Sequence, residues 1–382
     1  MNNTLKSVMT LMTVMILMHL DAGAQQVSTE CWPSYRGDVR LTGISGAVIR
    51  PPLKLLWTFK AGDGIKSSAV IFKGTIYFGC DDGCLYALTA KGNLLWKFKA
   101  GASFEAPPLL LNGRVYAGSL EGVIYALDAG SGALAWKYVT DGQVSGSCNW
   151  TLGPDKKQVR LIVGSYDFDL HCIDALTGRG IWKYTTGNYI NGTPSIAGNL
   201  VVTGGCDGFF HLVNTATGKL VGKINMLTYI PASAAISGNR AYFGNYDGLF
   251  FCVDLKTQKE VWKKEVGGPF VASPAIKAGR VISATQSKTV YCFDAAGGNV
   301  LWKFKAGGKV DASPVIAGDF VVIASGDGRL RLLDIATGEE RWVYETGSAL
   351  SGTPAVTDKL IVVGAEDGTL YAFGPADAKK QD

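Results

Sequence analysis

The chain has 382 residues, of which 47% are hydrophobic and 18% charged, and 37 basic against 32 acidic residues leave a net charge of +5. That composition excludes a disordered chain, and a mild positive excess without any basic run excludes a nucleic-acid surface or a polybasic membrane patch. With 49 Gly, 16 Phe, 15 Tyr and nine Trp, the chain favours many short strands joined by tight turns.

The first segment reads as an address. Lys6 precedes the apolar run Val8 to Leu20, and Ala22-Gly23-Ala24 offers a small-x-small cleavage site. This predicts a signal peptide over 1–24 and export to the periplasm or beyond. The run is too short to span a bilayer, and no later segment is long and apolar enough, so no transmembrane span is expected in the mature chain. Lipidation is not expected at Cys31, because Glu30 precedes it.

A lead-in over 25–52 comes next, and then repetition takes over. Trp57, Trp96, Trp136, Trp182, Trp262, Trp302 and Trp342 share one context, and Gly222 fills the midpoint of the double gap. The eight units are spaced by 39, 40, 46, 40, 40, 40 and 40 residues. Each runs from the Trp strand through a loop to a strand expected to end near Ser/Thr-Pro (Thr193-Pro194, Ser273-Pro274, Ser313-Pro314, Thr353-Pro354). An alternating strand, an Asp-Gly turn such as Asp207-Gly208 and a third strand such as Ile124-Tyr125-Ala126-Leu127 follow. Gly supplies the positive φ of such a turn.

Four short antiparallel strands repeated eight times predict an all-β fold, a single eight-bladed β-propeller over 53–374 with a polar tail over 375–382. The strand Leu53 to Lys60 has no preceding unit, and the last unit lacks an outer strand. The N-terminal strand is therefore expected to close the ring, giving a monomer. The seven tryptophans read as blade anchors. Lysines after the Trp position, at 97, 137, 183, 223, 263 and 303, suit an outermost edge strand that must resist aggregation.

Residues that carry chemistry are few. Beyond the signal segment only His171 and His211 occur, both at the Tyr position of a third strand, which supplies neither a catalytic triad nor a His-rich metal site. Cys172, Cys252 and Cys292 occupy an Ala position and read as core. Cys80 and Cys84 flank a hairpin turn that a disulfide could bridge. Counting from each Trp, position +8 is always apolar and position +10 always small. Position +9 varies: Lys66, Glu105, Ser145, Asn191, Pro231, Val271, Asp311 and Ser351. Architecture constrains it least, so Lys66, Glu105, Ser145, Asn191, Asp311 and Ser351, beside the loops of Tyr189 and Tyr229, form the candidate binding ring at the channel mouth. The outer Trp-strand surface is the alternative location. Six extra residues near Gly153 to Gln158 read as a polar loop on the face opposite the Asp-Gly turns.

The runs Tyr125-Ala126-Leu127-Asp128 with Gly132 and Trp136, Asp174 with Gly178 and Trp182, and Asp334 with Gly338 and Trp342 resemble the repeat of pyrroloquinoline-quinone (PQQ)-like propellers. The opening CWPSYRGDVRLTG, Cys31 to Gly43, is similar to the lead-in of such exported chains. One branch of that family comprises longer quinoprotein dehydrogenases with an adjacent-cysteine disulfide, calcium ligands from long insertions and sometimes a haem site. This chain has no Cys-Cys pair, no C-x-x-C-H and no long insertion, and resembles the non-enzymatic BamB-like branch. That resemblance implies a protein-interaction scaffold without a cofactor, with envelope partners such as β-barrel assembly components. A PQQ- and calcium-dependent oxidoreductase and a small-molecule or glycan binder are the alternatives.

Overall fold

The computed structural model describes residues 29–376; the predicted signal peptide and most of the polar tail lie outside the described residues. Eight four-stranded antiparallel sheets form the blades of a closed ring. In the first blade, Val70–Phe72 is innermost, followed by Thr75–Gly79, Cys84–Thr89 and the outer strand Leu94–Lys99. The strand Leu53–Lys60 pairs antiparallel with Thr369–Pro375, so the two ends of the chain build the last blade together, as the sequence predicts.

Stacking between blades explains the repeat. In Leu94–Lys99, Trp96 and Phe98 are half-buried while Lys97 and Lys99 are exposed. The Trp96 indole N–H donates to the Ala129 carbonyl of the next blade at 3.0 Å, and its ring lies on Gly132 of the same turn. Gly132 has φ +73°, and a Cβ there would sit 2.7 Å from the ring, so the turn needs glycine twice over. The same indole bond joins Trp57, Trp136, Trp182, Trp262, Trp302 and Trp342 to the following blade.

The unit without a Trp has its own solution. Gly222 stands at the Trp position, and the turn glycine of the next blade is replaced by Gln258, which keeps a left-handed φ of +57°. The Gln258 amide fills the space an indole would take, so a side chain added at Gly222 collides with it. Gly222→Trp alone is expected to destabilise. With Gln258→Gly added, which also relieves about 1–2 kcal/mol of left-handed strain, the double variant is expected to exceed both single variants in urea-denaturation midpoint.

One expectation needs correcting, and one open possibility is resolved. Ser/Thr-Pro does not end a strand: the innermost strands Ser195–Ala197, Ala275–Lys277, Val315–Ala317 and Ala355–Val356 start directly after the proline. Proline lacks the N–H a ladder needs, so it is accommodated at a strand start. The disulfide that the spacing of Cys80 and Cys84 allowed is not formed, and all eight cysteines are free thiols. Instead the Cys80 thiol donates to the Asp63 carbonyl at 3.2 Å, and burial pushes its pKa up to about 12. Cys172, Cys252 and Cys292 are fully buried core residues.

The lead-in is part of the architecture. From Trp32 to Ser45 it runs around the axis beneath the innermost strands and bonds to every blade. Trp32 pairs with Ile71, the Pro33 carbonyl takes the Leu110 N–H, and the Asn149 side chain and the Ile196 N–H both donate to the Val39 carbonyl. Ile236, Ile276 and Ile316 donate to Arg40, Thr42 and Gly43, and the Ser45 hydroxyl donates to Val356. Ile44–Ser45 adds a parallel fifth strand to the seventh blade. Innermost strands would otherwise leave buried N–H groups unpaired at the axis.

Candidate functional site

Each innermost strand is reached from the Asp-Gly end of the ring, so the residues just before it converge on the axis there. The apolar +8 residues, from Ile65 and Phe104 to Val310 and Leu350, are buried between blades. The next residue faces the axis. Ser145, Asn191, Pro231, Val271, Asp311 and Ser351 wall one axial well of about 150 Å³. The structure thus brings four of the six predicted ring residues into a common cavity. Lys66 and Glu105 are outside its lining and pair with each other at 3.0 Å, Lys66 also reaching Asp81 at 2.9 Å. Asp81 and Glu105 hold the Lys66 ammonium well above its usual pKa. Asp311 is held by Lys309 at 2.8 Å and by the Gln286 amide at 3.0 Å.

The floor was not anticipated. One residue beyond each small +10 position stands a hydroxyl in every unit but one, where Pro107 replaces it. In six of the eight blades the backbone N–H donates to the hydroxyl of the next: Ser147 to Thr193, Thr193 to Ser233, Ser233 to Ser273, Ser273 to Ser313, Ser313 to Thr353, and Thr353 to Ser68 across the closure. The bonds are 2.9–3.0 Å long. Tyr35 of the lead-in seats its hydroxyl on Ser273 and Ser313 at 3.1 and 2.9 Å. Arg36, fully buried beneath it, donates to the Pro314 and Pro274 carbonyls at 2.5 and 2.7 Å. The repeated hydroxyl was visible in the sequence, but its partner is 40 residues away. Only ring geometry reveals the contact.

Tyr189 and Tyr229 stand outside the well. Tyr189 stacks on Tyr166 at 4.7 Å and touches Phe168 at 5.3 Å; Tyr229 stacks on Tyr246 at 4.4 Å. With Leu227 they form an aromatic and apolar arc over the third to fifth blades, in which Phe168, Tyr189, Leu227 and Tyr246 are exposed. Phe168 and Leu227 have left-handed backbone, φ +74° and +73°, at positions where six of the eight units carry glycine.

The histidines are structural. His171 donates or accepts at both nitrogens, Nε2 to Asp167 at 3.0 Å and Nδ1 to the Tyr138 hydroxyl at 3.1 Å; His211 repeats this with Asp207 and Tyr184. The carboxylate is the Asp of the turn before the third strand, Asp207-Gly208 for His211 and Asp167-Phe168 for His171, bonded four residues on, as Asp82 is to Tyr86 and Asp327 to Arg331. Asp167, Asp169 and His171 place three ligand-type atoms within 4.8 Å of one another. Both ring nitrogens are already engaged, and Asp169 binds Thr185 and Lys183. Burial depresses the His171 pKa. A base whose folded pKa lies below its unfolded value, about 6.5, gives stability that is complete above that value and is lost as pH falls below it. The denaturation midpoint is therefore expected to drop between pH 7 and 5. His171→Tyr combined with Tyr138→Phe, which copies the Tyr86 and Phe59 pair of another blade, is expected to flatten that slope.

Fold and site define a closed eight-bladed propeller, with the lead-in bonded around the axis and a small axial well at the Asp-Gly end. The sequence matches the PQQ_2 family, described as outer membrane protein assembly factor BamB, over residues 53–152, 149–221, 206–290 and 286–381, and the chain belongs to that family. No curated protein matches it significantly. Among solved structures it is similar to BamB from Moraxella catarrhalis, with TM-score 0.72, 18% identity, and 85% of this chain and 100% of that one covered. It is also similar to quinohemoprotein alcohol dehydrogenase from Comamonas testosteroni, with TM-score 0.78, 15% identity, and 92% and 81% covered. The designed Ika8 protein matches with TM-score 0.75, 19% identity, and 84% and 99% covered. At such identities the likeness shows the fold alone.

The lining of the well does not fit a calcium ion. Calcium takes six to eight oxygen ligands, preferably carboxylates. The well offers one carboxylate, Asp311, already paired to Lys309, among hydroxyls and a single side-chain amide. Calorimetry with calcium at tens of micromolar is expected to show no binding at the well.

Proposed function

We propose that this chain is exported and works as a non-enzymatic, monomeric protein-interaction scaffold of the cell envelope, in the assembly of outer-membrane β-barrel proteins. Family membership across the whole propeller supports the setting. The observation that carries the interaction role is the arc of Phe168 and Leu227. A left-handed non-glycine residue costs about 1–2 kcal/mol, and strain held at exposed positions points to use rather than packing. These two residues hold apolar side chains out to solvent beside stacked tyrosines, in place of the glycine the repeat prefers. Tyrosine-rich patches make interaction hot spots at low entropic cost. In this reading partners dock on the Asp-Gly end, with Tyr189 and Tyr229 central and Lys66 and Glu105 at the margin.

The test is cross-linked recovery of partners from the native envelope. Wild-type chain is expected to recover β-barrel assembly components. Phe168→Gly with Leu227→Gly is expected to lose them while the protein becomes more heat-stable. Recovery of no such component by the wild type, or equal recovery by the double variant, would sink the proposal.

A further inference from the structure

We propose that the axial well is a binding site for a small oxyanion, a carboxylate or a phosphate, received by the hydroxyl floor above Arg36. This goes beyond the scaffold role and does not rest on it.

The floor is rich in donors. The Ser68, Thr193, Ser233 and Thr353 hydroxyls each accept an amide hydrogen from a neighbouring blade. Ser233 accepts from Thr193, Thr193 from Ser147, Thr353 from Ser313, and Ser68 from Thr353. Among the described residues none of these four finds an acceptor for its own proton, and all four line the well. A hydroxyl has one proton to give and two lone pairs. With a lone pair already used by the scaffold, its remaining strength is donation. Ser351, on the wall, has a buried oxygen with no partner at all among the described residues. Buried polar groups left unpaired in a native fold call for an explanation such as a bound ligand or water.

Charge separates an anion from a neutral polyol. Arg36 is fully buried and makes no ion-pair contact among the described residues. The nearby Asp38 carboxylate acts on it only through space, is itself held by Thr42 and the Arg40 N–H, and is pushed by burial toward its neutral form. Its Nη atoms are bound to the carbonyls of Pro274 and Pro314, the residues next to Ser273 and Ser313 of the floor, and its Nε is unbonded. Burial lowers its pKa to about 10, which leaves it charged at neutral pH. A buried cation without a contacting counter-ion is costly, and an anion in the well would add negative charge from above the floor. The carboxylate on the wall does not oppose this, because Lys309 and Gln286 hold Asp311. The size fits too: about 150 Å³ equals roughly five waters at about 30 Å³ each, enough for phosphate or a short carboxylate.

The experiment is calorimetry on the full chain with inorganic phosphate and with acetate, and glycerol as the neutral control. One saturable site is expected for at least one anion and none for glycerol. The melting temperature should rise with the concentration of the bound anion. Tyr35→Phe with Ser351→Ala removes two hydroxyls without touching the buried charge and is expected to weaken binding at least tenfold. Arg36→Gln should abolish binding if it folds; if it does not, the hydroxyl variant decides. Absence of saturable binding by both anions, equal binding of glycerol, or unchanged affinity in the hydroxyl variant overturns the proposal. Failure to recover envelope partners leaves it standing, since the arc and the well are altered by different substitutions.

Discussion

Trp302→Ala is expected to lower the unfolding free energy by about 3–5 kcal/mol, the usual cost of deleting a buried aromatic ring. The ring is 8% exposed and packs between the sixth and seventh blades. Its indole N–H donates to the Ile335 carbonyl at 3.0 Å, and its face covers Gly338, whose Cβ would lie 2.6 Å away. Truncation removes the area, leaves that carbonyl unpaired and exposes a glycine turn with nothing to fill the gap. The chain itself shows what compensation requires: where Trp is absent at Gly222, a glutamine moves into the site from the opposing turn. No such residue stands opposite Trp302. Urea denaturation reads the result, and a loss under about 1 kcal/mol would show that the blade contact is not a principal source of stability. Most other indoles are more exposed than those of Trp262 and Trp302, so smaller losses are expected for them.

The repeated part of the fold was legible because each repeat element answers a local demand. Outer strands alternate aromatic and lysine, turns carry Asp-Gly, and Trp recurs at a fixed interval, so blades and ring closure follow from counting. What the sequence hid depends on neighbours brought close only by the ring. Thr193 looks like the end of a strand, yet its hydroxyl serves the N–H of Ser147 in the preceding blade. Tyr189 stood out as a mouth residue, but its partner Tyr166 lies on the preceding blade and matches no repeat position that tyrosine usually fills. Lys66 and Glu105 share the variable position with Asn191 and Asp311, and only the structure shows that opposite charges in adjacent blades satisfy each other instead of facing the well. Arg36 is outside the repeat altogether, so no periodic argument could assign it a place.

Removing the lead-in is expected to alter the mode of unfolding as well as its midpoint. Blades contact only their neighbours, and arrays of that kind tend to lose structure unit by unit unless something couples distant units. Between Trp32 and Ser45 the chain bonds to all eight blades. Any blade that opens therefore breaks a segment shared with the rest. A variant lacking residues 25–47 leaves six innermost N–H groups without that partner, those of Ile71, Leu110, Ile196, Ile236, Ile276 and Ile316. At about 0.5–1.5 kcal/mol per lost bond, and more where the group stays buried, a loss of about 5 kcal/mol or more is expected. The sharper signature is in the slope. Intact protein should unfold in one transition with coincident fluorescence and circular-dichroism curves. The shortened chain should give a broadened transition, a smaller denaturant slope and curves that separate. Equal slopes with only a shifted midpoint would mean that blade-to-blade packing alone makes the ring cooperative. The well would then lose the Tyr35 hydroxyl and the Arg36 charge beneath its floor without the propeller losing its unity, because both leave with the same segment.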